Sequence, residues 1–273
     1  GGTNAGNNTI TLTAANTLNG TVNLNGGTLA IGSSSNVLQN AVLNYLGGSI
    51  NIGNLSSVRV GALSGNQNIA LTNPNTGAAV NLIIQGSQTP APYIGQLFGK
   101  GSLTKSGNGT LTLNAVNVYT GGTLVAGGLI NFVSAQNFGT GNVTLFNGGL
   151  QWAPGTSTDI SSQINGKFGG LQGNISPNSG NDVFDTNGND VTFNSSMSGN
   201  GTLVKSGAGL LTLASNNTYS GGTVANGGLI NFGGLGAFGT GNITLAGGGL
   251  QWGLHTTTDI SSQLNSNLTI GNA

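Results

Sequence analysis

The sequence predicts an all-β protein folded as a right-handed parallel β-helix, a solenoid with coils of about 20 residues. Three observations lead there. Residues 101–164 align with 201–264 without a gap, and 39 of the 64 positions are identical. The pair Gly26-Gly27 recurs at Gly47-Gly48, and the same interval separates Gly127-Gly128 from Gly148-Gly149 and Gly227-Gly228 from Gly248-Gly249. Between these pairs lie short runs of β-branched residues and Leu, such as Thr123-Leu124-Val125 and Val143-Thr144-Leu145-Phe146, separated by Gly, Asn and Ser. Those separators accept φ > 0 and close turns.

Short strands at this spacing suit a sandwich or a solenoid. The nested repeat selects the solenoid, because stacked coils require a unit of constant length and a sandwich does not. No stretch shows a 3.6-residue apolar period over 11 or more residues, so helix is expected to be minor. Crossover chirality gives the right-handed winding. We expect one continuous β-helix over 1–273: divergent coils over 1–64, a first long repeat over 65–164, a second over 165–264, and the start of a further coil over 265–273.

Within a coil, Leu103, Leu111, Leu113, Leu129, Ile130, Val143, Leu145 and Leu150, with their counterparts one hundred residues on, are the expected core ladders. Phe132, Phe138 and Trp152, with Phe232, Phe238 and Trp252, are expected to plug it. The alternative for the aromatics is an exposed platform for sugars. Pro74 to Phe98 and Gly166 to Asn194 break the regularity, and insertions on a repeat scaffold tend to be binding loops on one face.

Composition narrows the function classes. Charged residues make up 4% of the chain and the net charge is zero, which leaves no electrostatic footprint for nucleic acid. With 36% apolar residues in alternating runs the chain is expected to be ordered. There is no cysteine, hence no disulfide framework. No apolar run approaches the roughly 18 residues of a membrane helix. The start Gly1-Gly2-Thr3 lacks a Met and a basic n-region, as in an internal piece of something longer.

Candidate chemistry is sparse. His255 is the sole histidine, and a triad would have to join it to Asp259 and Ser261 or Ser262. Its counterpart in the first copy is Gly155, and no G-x-S-x-G elbow occurs, so a turn histidine is expected. Asp182, Asp185 and Asp190 lie in NDVFDTNGND, whose D-x-N-G-x-D portion places oxygen ligands at alternate positions as a calcium loop does, without the closing Glu. An Asn-Gly turn between two strands is the preferred reading. Lys105 and Lys205 are repeat-equivalent, with stems expected along the coil and ammonium groups in water. No catalytic residue and no cofactor is expected.

The pattern L-x-K-S-G-x-G-x-L-T-L, then N-x-Y-[TS]-G-G-T, then G-G-L, resembles the autotransporter-associated β-strand repeat of type V secretion passenger domains. Lys105, Gly107, Gly109, Leu111, Asn117, Tyr119, Gly121, Gly122 and Thr123 carry it, and so do Lys205, Gly207, Gly209, Leu211, Asn217, Tyr219, Gly221, Gly222 and Thr223. The resemblance implies a passenger displayed on the bacterial surface or released, with an outer-membrane β-barrel elsewhere in the full-length chain. It is not specific for activity, since such passengers include adhesins, proteases and esterases. A non-enzymatic stalk, adhesin or self-associating filament module is expected, because so few charges give little repulsion between molecules and an uncapped solenoid end offers unpaired strand edges. The expected partners are host-cell or surface glycans or proteins, or copies of itself. The alternative is a β-helix carbohydrate-active enzyme or glycan-binding module using Asp182, Asp185 and Asp190.

Overall fold

A computed structural model describes residues 8–15, 17–164 and 181–264. Its described residues wind through about 11 turns of a parallel β-solenoid. The expected coil at 265–273 and the 166–180 part of the second insertion lie outside the described residues. The chain divides into two compact units, Gly1–Asn131 with Gln136–Gly141, and Phe132–Ala135 with Asn142–Ala273.

In the N-terminal unit one parallel sheet runs in order through Thr9–Leu12, Thr21–Ile31, Leu38–Asn51, Ser57–Gly65, Asn81–Ile84, Ser102–Lys105 and Thr123–Val125. A smaller parallel sheet joins Ile69–Ala70, Leu97–Gly99 and Val118–Tyr119. Register stacks Val58 on Leu82, Leu103 and Thr123, and Val60 on Ile84, Lys105 and Val125. All eight side chains face inward and are buried. The step from Leu103 to Thr123 is one coil.

In the C-terminal unit Gly149–Trp152, Asn181–Asp185, Thr202–Ser206, Thr223–Ala225 and Ile243–Leu245 pair in parallel. A second sheet stacks Val191–Phe193, Leu210–Leu213, Leu229–Phe232 and Gly249–Trp252. Its ladders are Val191, Leu211, Ile230, Leu250 and Phe193, Leu213, Phe232, Trp252. Among the described residues helix is confined to single turns such as Ser161–Ile164 and the 3₁₀ turn Leu235–Phe238.

Two expectations need correction. Leu129 and Ile130 cannot both enter the core, because neighbours on a strand point to opposite faces. Ile130 and Ile230 are buried, while Leu229 is outward and exposed. Pro74 to Phe98 is not one loop either: Asn81–Ile84 inserts a strand whose Leu82, Ile83 and Ile84 are buried, and Tyr93 and Leu97 are also buried. The insertion lengthens the coil, so that Ile69 pairs with Leu97, a longer step than the one from Leu103 to Thr123.

Candidate functional site

The residues repeated most faithfully converge inside the coils. Asn117 is buried, accepts the Leu97 N–H at 2.7 Å from the preceding coil, and donates to the Asn137 carbonyl at 2.6 Å in the following one. Asn217 accepts from Met197 N–H at 2.7 Å and donates to Ala237 O at 2.6 Å. Each side chain therefore ties three consecutive coils. A buried amide survives only where its donors and acceptor are met.

Tyr119 and Tyr219 are fully enclosed. Their hydroxyls lie 2.5 and 2.6 Å from the hydroxyls of Thr123 and Thr223, which donate on to Phe138 O at 3.2 Å and Phe238 O at 3.1 Å. Burial pushes both phenols well above their ordinary range, and the threonine hydrogen bonds only partly offset it. Gly139 lies against the Tyr119 ring edge, where a Cβ would stand 3.1 Å from the ring carbons. Gly121 and Gly122 follow on the same turn. A Cβ on Gly121 would meet the Gly101 carbonyl oxygen at 2.5 Å, and Gly122 has φ +82, so glycine is required at both positions.

Lys105 and Lys205 depart from expectation. They are 1% and 0% exposed, and their ammonium groups turn inward rather than into water. Lys205 Nζ donates to the carbonyls of Ser206 at 2.9 Å, Gly207 at 2.7 Å and Gly227 at 3.0 Å. Lys105 Nζ donates to Gly107 O and, at 3.4 Å, to Gly127 O. The turn glycines Gly128 and Gly228 close over the cradle, with a Cβ position 2.8 Å from Nζ in both copies. Desolvation lowers both lysines to about 8, and the Asp185 carboxylate counteracts this in part at Lys205. Gly109 and Gly209 supply the turn beneath: Leu129 N–H donates to Gly109 O at 3.3 Å and Leu229 N–H to Gly209 O at 3.0 Å.

The aspartates serve the backbone. Asp182 is buried and accepts Asn147 N–H at 3.1 Å. Asp185 accepts Asn187 N–H at 2.9 Å and the Gln151 amide at 2.7 Å, while Asp190 accepts Leu210 N–H at 3.0 Å. Asn187 at φ 50 and Gly188 at φ 85 form the turn between them. Among the described residues no three His, Cys, Asp or Glu side chains group to hold a metal ion. His255 is exposed in a turn at φ 62, where the first copy has Gly155 at φ 78. Asp159 meets Ser161 at its amide and hydroxyl and Asn194 at its amide and side chain. Burial opposes its ionisation, but these four bonds outweigh burial and hold the carboxyl below its usual range.

Trp152 is fully buried against Phe132 at 4.9 Å, Phe193 at 5.8 Å and Phe184 at 6.4 Å, with its indole N–H donating to Thr158 O at 2.9 Å. That removes it as a sugar platform. Trp252 lies 5.2 Å from Phe232 and is 46% exposed. Sequence reasoning placed Asn117, Tyr119 and Lys105 in a motif but missed their roles. The only signal was their joint recurrence with the turn glycines.

The fold and these internal brackets define a repeat solenoid whose most faithfully repeated polar groups bind coil to coil. The passenger-associated-transport-repeat family matches residues 3–31, 103–130 and 203–230, three segments that start one hundred residues apart. The first of these contains neither Lys nor Tyr. The chain is also 32% identical over 218 residues to the adhesin BmaC autotransporter of Brucella suis biovar 1 (strain 1330). That alignment covers 77% of this chain and 6% of the relative's length. No solved structure matches. The chain is thus an autotransporter passenger segment built on these repeats, which places it at the cell surface or outside the cell. No helix among the described residues is long and apolar enough to cross a membrane.

Proposed function

We propose that this segment is a non-enzymatic part of a surface-displayed passenger, serving as a stalk and adhesive surface. The carrying observation is the use of Asn117, Asn217, Lys105 and Lys205, whose polar atoms bond the backbone of their own and neighbouring coils and face no cleft. The acids of NDVFDTNGND each accept a backbone amide as well. The adhesin relative supports the adhesive half of the reading. Partners on this reading are host or surface molecules presented to the outward residues of the coils.

The test is adherence. Non-adherent bacteria displaying this segment through a heterologous barrel should bind cultured host cells or an immobilised matrix several-fold better than cells displaying the barrel alone. Soluble segment should compete. Equal binding by both strains would sink the adhesive reading. Turnover of a polysaccharide panel that disappears in Asp185→Ala would sink the non-enzymatic one.

A further inference from the structure

Among the large apolar side chains exposed in the N-terminal unit are Ile94 at 57% exposure, Phe98 at 38%, Val116 at 56% and Val118 at 44%. They come from two successive coils. Phe98 is in register with Val118 on one side and Ala70 on the other, and the Gln96 side chain donates to Val116 O at 2.9 Å. Leu97, Asn117 and Tyr119 occupy the inward positions between them, so strand alternation turns the four outward.

The protein contains its own control. Leu97 N–H donates to Asn117 and Met197 N–H donates to Asn217, both at 2.7 Å, so the two stretches occupy equivalent places one hundred residues apart. In the C-terminal unit the four outward positions are Asn194, Ser198, Asn216 and Thr218. The Asn bracket and the bond from Thr120 N–H to Gly99 O, matched by Ser220 N–H to Gly199 O, are kept there with polar residues, without the strand pairing of Leu97–Gly99 with Val118–Tyr119. The scaffold therefore does not require the apolar set, and an unneeded exposed apolar cluster marks an interaction surface.

Charge changes with it. Lys100, exposed beside Phe98 with its ammonium on Gly77 O at 3.2 Å, corresponds to Asn200. The N-terminal unit holds Arg59, Lys100 and Lys105 and no carboxylate side chain, since all five Asp of the chain lie in the C-terminal unit. Lys100 is the exposed cation of this apolar set, and at its four outward positions the amides and hydroxyls of the counterpart are replaced by hydrocarbon.

We propose that Ile94, Phe98, Val116, Val118 and Lys100 form a docking face for an acidic polypeptide segment bearing apolar side chains. The partner's carboxylates complement Lys100 in a unit without acids of its own, and its apolar side chains cover Phe98 and the valines. The inference rests on the adhesive reading and adds to it the surface and the chemistry of the partner.

The decisive variant replaces Ile94→Asn, Phe98→Ser, Val116→Asn and Val118→Thr together, the residues that the C-terminal unit already carries at these places. An unchanged urea midpoint confirms folding. The probe is a fluorescein-labelled synthetic peptide alternating Glu with Leu and Phe, titrated by anisotropy. The fourfold variant should bind it at least tenfold more weakly. Lys100→Asn should weaken it about threefold at low salt, a difference that vanishes in about 1 M salt. Peptides with Lys for Glu, or Ser for Leu and Phe, should bind wild type at least tenfold more weakly. Equal binding by wild type and the fourfold variant, or by the Glu and Lys peptides, overturns the proposal. So does self-association in sedimentation, or capture of phosphatidylserine vesicles, that the fourfold variant loses while peptide binding is unaffected. The adherence assay decides the adhesive reading separately: non-adherent cells carrying a wild-type segment that still binds the peptide would sink that reading alone.

Discussion

Lys205 Nζ donates to the carbonyl oxygen of Gly227, one coil further along the chain, at 3.0 Å. A lysine inside an inward ladder, between Phe184 and Ala225, is thus a clasp between coils rather than a surface charge. Replacing it by Met keeps the stem and leaves three carbonyl oxygens without this donor. We expect Lys205→Met to cost about 1–3 kcal/mol in urea unfolding at pH 7.

The clasp also sets a pH dependence. Both lysines titrate at about 8 when folded and near their ordinary 10.5 when unfolded, so above pH 8 the unfolded chain holds more protons. Stability must then rise with pH between about 8 and 10. Tyr93, Tyr119 and Tyr219 have the opposite sign: their folded values are raised from 10.0, so the stability they contribute is lost as pH climbs beyond 10. The expected profile is a maximum at about pH 10, where the two slopes cancel, measured by thermal melts. The double variant Lys105→Met, Lys205→Met should lose the rising limb and keep the falling one.

Asn117→Ala removes a side chain that serves two other coils at once. Leu97 N–H loses its acceptor and Asn137 O its donor inside the wall. At about 1–3 kcal/mol for each orphaned group, a loss of about 3 kcal/mol is expected in equilibrium unfolding. Asn217→Ala should cost at least as much, because its two equivalent bonds have the same lengths and its amide also donates to Ser215 O at 3.2 Å.

Gly128 and Gly188 separate conformation from space. Gly188 has φ +85 with nothing near a Cβ, so Gly188→Ala should cost only about 1 kcal/mol. Gly128 has φ +59, and its Cβ would press on the carbonyls of Gly109 and Gly107 and lie 2.8 Å from Lys105 Nζ. Gly128→Ala should cost about 3 kcal/mol or more, read from the same urea curves.

The gapless repeat made the architecture legible, because it demands the same bonds in the same places. The Asn117 and Asn217 brackets repeat at 2.7 and 2.6 Å in both copies, and the two Tyr–Thr pairs at 2.5 and 2.6 Å. The fate of Lys105 was not legible: its ladder neighbours Ile84 and Val125 lie a full coil away in either direction, and only the register brings them together. The outward set Ile94, Phe98, Val116 and Val118 was hidden for a related reason. Single apolar residues among polar ones look unremarkable until two coils are laid side by side.

Trp152 and Trp252 occupy equivalent places and differ in what stacks on them. The first is enclosed because Phe184 and Phe193 stack on it, whereas the second is 46% exposed. Trp152→Ala should cost about 3–5 kcal/mol and Trp252→Ala about half that, by the same unfolding measurement.

The Asn117 bracket has a consequence for assembly. Its acceptor side closes on the coil before it and its donor side on the coil after it, so its side chain is fully bonded only when both neighbouring coils are in place. A chain cut off just after either coil would leave the Asn117 or Asn217 amide open at its end, like a clasp with no eye to close on.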